Sequence, residues 1–108
     1  MESISSNEID AKVRRARGAV VLDFYQASCA PCRALDPILK RVALQYAGKV
    51  PIYRVDIDRD LDVAKGFNVM SLPTILVIKD GRELIRLDGL IKEQDVRGAL
   101  ETASAARS

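Results

Sequence analysis

Seven residues, AVVLDFY (Ala19–Tyr25), constrain this chain more than any others. They are β-branched and aromatic, which favours a strand, and both alternating faces are apolar, so neither face can be left to water. Such a strand belongs in the middle of a sheet with helices on each side. The flanking pattern supplies those helices. Ser5 followed by Glu8 fits a capping box, and Ile9, Val13 and Ala16 recur at helical spacing until Gly18. After the strand, PCRALDPILKRVALQYAG carries Leu35, Leu39, Val42 and Tyr46 along one stripe, with Gly48 as its terminator. Pro37 inside this second helix lacks a backbone donor and is expected to kink it about a turn after its start.

Further along, residues 51–57 (PIYRVDI) read as another strand and residues 60–68 as a short helix ending near Gly66 or Asn68. TILVIK, Asp80-Gly81 and RELIRLD then spell a strand, a two-residue turn and a strand. A last helix is expected over residues 92–106, with Val96, Ala99, Leu100 and Ala103 facing inward. Strand–helix–strand units followed by a hairpin imply an α/β fold with a mixed sheet, flanked by helices on both faces. No internal repeat or linker interrupts it, so residues 1–108 are expected to form a single domain.

Composition excludes several classes. With 48% apolar residues and 30% charged residues of mixed sign, a packed core is expected rather than disorder. A net charge of +2, spread along the chain, gives no reason to expect nucleic acid or an anionic membrane as a partner. The basic residues 12–17 (KVRRAR) fall near the end of the first helix, where cations complement the dipole, and read as a solvated face rather than a docking surface. The first ten residues lack the basic start and apolar run of a signal peptide, and no stretch approaches a membrane span. A cytoplasmic monomer is the expectation.

The chain has two cysteines and no histidine, and both cysteines lie in SCAPC, at the start of the second helix. A closed tetrahedral metal site needs four ligands, so one chain cannot build it; an ion or cluster shared between two chains remains open. A purely structural disulfide closing so short a loop would contribute roughly 2 kcal/mol on chain entropy, against about 4.7 for a 100-residue loop. A redox pair accounts for the placement. Cys29 falls where unpaired backbone N–H groups and the positive end of the helix dipole favour a thiolate. Cys32 returns to the same side one turn later, with Cα atoms roughly 5 Å apart, within disulfide range. Pro31 is tolerated in the first turn and stiffens the loop.

These residues, taken in order, resemble the thioredoxin family. The segment VLDFYQASCAPCRALDPIL resembles the family's active-site segment, and VDID (residues 55–58), LPT (residues 72–74), KDG (Lys79 to Gly81) and Gly89 follow in the family's order. The resemblance covers nearly the whole chain. It implies a thioredoxin fold of four to five strands, and a redox-active Cys29–Cys32 disulfide with no other cofactor. It further implies a cis peptide bond before Pro73, which would sit against the cysteines. In the family the backbone before that Pro pairs with a substrate's extended chain, which makes Ser71 and Leu72 candidate contacts, together with Ser28, Ala30, Pro31 and Gly89. The implied partners are disulfide-containing client proteins and an electron donor, usually a flavin-containing thioredoxin reductase.

Asp23 can be argued from its surroundings. Between Leu22 and Phe24 in an apolar strand, its carboxylate would be costly to ionise, so its pKa should rise. That suits a group that takes and returns a proton when Cys32 acts. A solvated Asp on an exposed face is the alternative. Arg54 falls where the family often carries a Lys near that Asp; since Arg keeps its proton, it is either an electrostatic partner or a surface residue.

Several positions depart from the family. Ser28 replaces the usual Trp, Ala30 the usual Gly, and Tyr25 is the aromatic after the strand. Losing the Trp removes a flat apolar contact beside Cys29, and Ala30 bears on redox potential. Only ESI is available for the family's first edge strand, which is expected to be vestigial or absent. Met70 reads either as a client contact or as a gap filler. The expected activity is that of a protein-disulfide reductase. A less reducing oxidant or isomerase, or a binding subunit with an incidental redox pair, stands as the alternative.

Overall fold

The computed structural model describes residues 1–105. In chain order the elements are β1 (Glu2–Ser3), α1 (Ser6–Ile9), which continues as one π-helical turn over Asp10–Arg14, β2 (Ala19–Tyr25) and α2 (Ala30–Gln45). Then come β3 (Ile52–Asp56), α3 (Leu61–Gly66), β4 (Thr74–Lys79), β5 (Arg82–Asp88) and α4 (Glu93–Ala105). The sheet runs β1-β3-β2-β4-β5. The first three of these strands are parallel, whereas β4 is antiparallel to β2 and β5 to β4. β2 is therefore the middle strand, as its two apolar faces require.

Alternation along β2 divides the interior into two cores. Ala19 and Val21 join Leu35, Leu39 and Val42 of α2 and Val96 and Leu100 of α4. Val20, Leu22 and Phe24 instead join Ile9 and Val13 from the first helical segment and Val63 and Ala64 of α3. β4 repeats the division, with Ile75 and Val77 on the α2 side and Leu76 and Ile78 on the other. Asp23 continues the row of Ala19 and Val21, so the same alternation delivers one carboxylate to the α2 face.

The hairpin has the expected two-residue turn. Asp80 (φ 50°) and Gly81 (φ 82°) both adopt left-handed backbone, the requirement of a type I′ turn. A Cβ on Gly81 would also collide with the carbonyl oxygen of Arg14, which ties the hairpin tip to the end of the first helical segment.

Three expectations need correction or completion. Of the two outcomes expected for the edge strand, the structure has the vestigial one: two residues pair with Tyr53 and Arg54, and Ile4 behind them is buried in the second core. The first helix widens instead of running on regularly: the Arg15 N–H donates to the Asp10 carbonyl five residues back. α4 starts at Glu93 rather than Lys92, and residue 106 of the expected span lies outside the described residues.

Candidate active site

β2 delivers the chain to the sheet's end, and after a short loop Cys29 becomes the N-cap of α2 with extended backbone (φ −83°, ψ 106°). The Cys32 N–H donates to Cys29 Sγ at 3.2 Å. One of the orphan donors of the helix start is thereby aimed at a sulfur, in the direction in which the dipole of a sixteen-residue helix favours negative charge. Cys29 and Cys32 form a disulfide with Cα atoms 5.2 Å apart. The two sulfurs are not equivalent to an incoming reagent. Cys32 is 3% exposed and packs inward, whereas Cys29 is only half-buried.

Asp23 is 2% exposed, which rules out the solvated alternative. Burial raises its pKa to about 6; the Arg54 cation opposes this rise, and the negative charge of Asp36 adds to it. Arg54 stands opposite Asp23 in the β2–β3 register. Its Nε donates to Asp23 Oδ2 at 3.3 Å and its Nη2 to Asp36 Oδ1 at 2.8 Å. Its guanidinium lies over the Tyr25 ring, 3.8 Å from the centroid. Arg54 is thus an electrostatic partner and not a surface residue. Tyr25, Cys32, Asp36 and Arg54 together line a cleft of about 220 Å³ beside the buried sulfur.

On the other side of the cysteine loop lies an apolar cleft of about 350 Å³. Pro31, Ile38, Leu72, Pro73, Gly89 and Leu90 contribute to its walls. The Leu72–Pro73 peptide bond is cis, and Pro73 lines the same cleft as Pro31 of the cysteine loop. Of the candidate contacts, Pro31, Leu72 and Gly89 are brought together here; Ser28, Ala30 and Ser71 are exposed but do not line the cleft. Pro37 is an exposed residue inside α2. Met70 is 91% exposed, so it fills no gap in the core.

Two contributors were not singled out from the sequence. Asp36 lies one helical turn after Cys32, a spacing that places both on one side of α2 and could have flagged it. Thr74 is fully buried and its Oγ1 donates to the Ser71 carbonyl at 2.6 Å, fixing the loop before the cis bond; nothing local marks it. Among the described residues, no group of three or more His, Cys, Asp or Glu side chains could hold a metal ion, and no helix is long and apolar enough to cross a membrane.

Comparison with known proteins agrees with this geometry. The thioredoxin family model matches residues 1–102. Thioredoxins of Staphylococcus aureus strains Mu50, MW2 and N315 are each 31% identical over 98 residues, covering 91% of this chain and 92% of theirs. A central mixed sheet between helices, a cysteine pair capping the helix after the middle strand and a match over almost the full length make the chain a member of the thioredoxin family.

Proposed function

We propose that this chain is a protein-disulfide reductase that acts in the cytoplasm as a monomer. The observation that carries the reading is the asymmetry of the pair: Cys29 is only partly buried and has an N–H on its sulfur, while Cys32 is buried. In the reduced protein the Cys29 thiolate attacks one sulfur of a client disulfide, forming a mixed disulfide and releasing the client's other sulfur as a thiolate. Cys32 then gives its proton to the Asp23 carboxylate and attacks Cys29 Sγ, so that the second client thiolate leaves. Two electrons have passed to the client, and the Cys29–Cys32 disulfide has formed. An electron donor, such as a flavin-containing thioredoxin reductase, restores the dithiol.

The apolar cleft and the backbone at Ser71 and Leu72 provide the docking surface for an extended client segment. Pro73 holds that backbone against the cysteine loop. Cys29→Ser should abolish turnover of a protein disulfide, and Cys32→Ser should accumulate the mixed disulfide, seen as a mass adduct that a reductant removes. Full turnover by Cys29→Ser would sink the reading.

A second reading, an oxidant or isomerase, is favoured by one observation. Ser28 and Ala30 are both exposed beside Cys29, and Ser28 leaves its sulfur without the flat apolar neighbour usual in the family.

A further inference from the structure

The guanidinium of Arg54 is shared between two carboxylates. Its Nε and Nη2 form the edge that can grip one carboxylate with two parallel hydrogen bonds. Here that edge is divided: Nη2 binds Asp36 at 2.8 Å, and only a longer contact of 3.3 Å reaches Asp23. Charge-assisted bonds of this type are normally about 2.7–2.9 Å, so the tighter hold is the one on Asp36. We propose that Asp36 is a positioning residue for the proton acceptor Asp23, acting by competing with it for the single guanidinium of Arg54. This rests on the reading of Asp23 given above.

The surroundings leave few other groups to exert such control. On the sheet, the neighbours of Asp23 are Arg54 in β3 and the apolar Ile75 in β4. From its own strand, Tyr25 contributes the ring on which Arg54 stacks. From α2 come Cys32, Asp36 and Arg33, and the Arg33 guanidinium is directed away to the Ala27 carbonyl at 2.7 Å. Arg54 cannot release its proton, so any proton gained in this cluster goes to a carboxylate. Asp36 acts on Asp23 in two ways with the same sign. It draws the cation away, and it adds a negative charge; both favour the protonated form of Asp23.

The test is a carboxyl-carbon NMR titration of Asp23 in the disulfide form, where no thiol titrates beside it. In Asp36→Asn the midpoint should fall by about one pH unit, the low end of what a neighbouring charge produces, since Asp36 is partly exposed. Asp36→Glu, which restores the charge, should return it toward wild type. If the Asn variant does not fold, Asp36→Ala poses the same question with a strong helix former. An unchanged or raised midpoint overturns the proposal, because Asp36 would then serve only to anchor Arg54. The pH profile of mixed-disulfide release should shift in parallel. A titration that moves without the release profile would support the coupling and overturn the role of Asp23 as proton acceptor.

Discussion

Replacing Asp23 by Asn should stabilise the protein at neutral pH and leave its stability unchanged in acid. The folded carboxyl titrates near 6, against 3.8 for the free group, chiefly because it is buried. Between these two values the folded state holds a proton that the unfolded chain has released, so the contribution of Asp23 to the unfolding free energy falls as pH rises from about 4 to about 6 and is level above. The gap between 3.8 and about 6, at about 1.4 kcal/mol per pKa unit, makes the ionised carboxylate cost about 3 kcal/mol at pH 7. Asn has nearly the same shape and no charge, and its oxygen can still accept from Arg54. The assay is urea unfolding of the disulfide forms of both proteins from pH 3.5 to 8. The variant should gain about 3 kcal/mol above pH 7, equivalent to about 13 °C in Tm for a domain of this size, and the two curves should meet near pH 3.5. A difference that is flat with pH, or that grows toward acid, would refute the reasoning, since it could not come from ionisation of Asp23.

Two further outcomes follow from the geometry. Gly81→Ala should lower stability by more than about 1–2 kcal/mol in the same unfolding assay, because it adds a left-handed backbone penalty to a collision with the Arg14 carbonyl. A redox titration of Cys29 and Cys32 against thiol buffers should give a midpoint near about −270 mV if the chain is a reductant; a midpoint of about −180 to −120 mV would instead establish the oxidant or isomerase reading.

How much of this was legible in the sequence depended on whether the signal was local. The two-residue period of Ala19–Tyr25 specified a middle strand with a core on each face, and the Asp80-Gly81 turn specified the hairpin, because in each case one segment carries the whole pattern. The cysteine pair was legible for the same reason. β1 was not. Its two residues are polar and exposed, and they join the sheet through backbone pairing to β3, which leaves no side-chain pattern to read. The π-helical turn was equally hidden, since Ile9 and Val13 are buried four residues apart, a spacing that also suits a regular helix. At the site, Asp23 was conspicuous as a carboxylate in an apolar strand. Its link to Asp36 was not, because it runs through Arg54, eighteen positions from Asp36 in the chain and on a different element. Local pattern does not say which two carboxylates one arginine will join.

The row Ala19, Val21, Asp23, Tyr25 faces α2 beside an apolar core, and the physical difficulty is why a buried carboxylate stands in it. Stability alone would favour an apolar residue there. Under the proposed mechanism the burial that destabilises the ionised form also supplies what the second thiol step needs, an acceptor whose pKa lies near the working pH. Burial without Arg54 would push the carboxyl higher and keep it protonated when Cys32 must lose its proton. A full bidentate grip by Arg54 would return it toward an ordinary carboxylate, too weak a base to help. The divided guanidinium holds Asp23 between those limits, at about 6, and Asp36 makes the division. Stability and chemistry therefore pull on the same atom in opposite directions. The Asn variant that folds most stably at neutral pH should be the one that resolves its mixed disulfide most slowly.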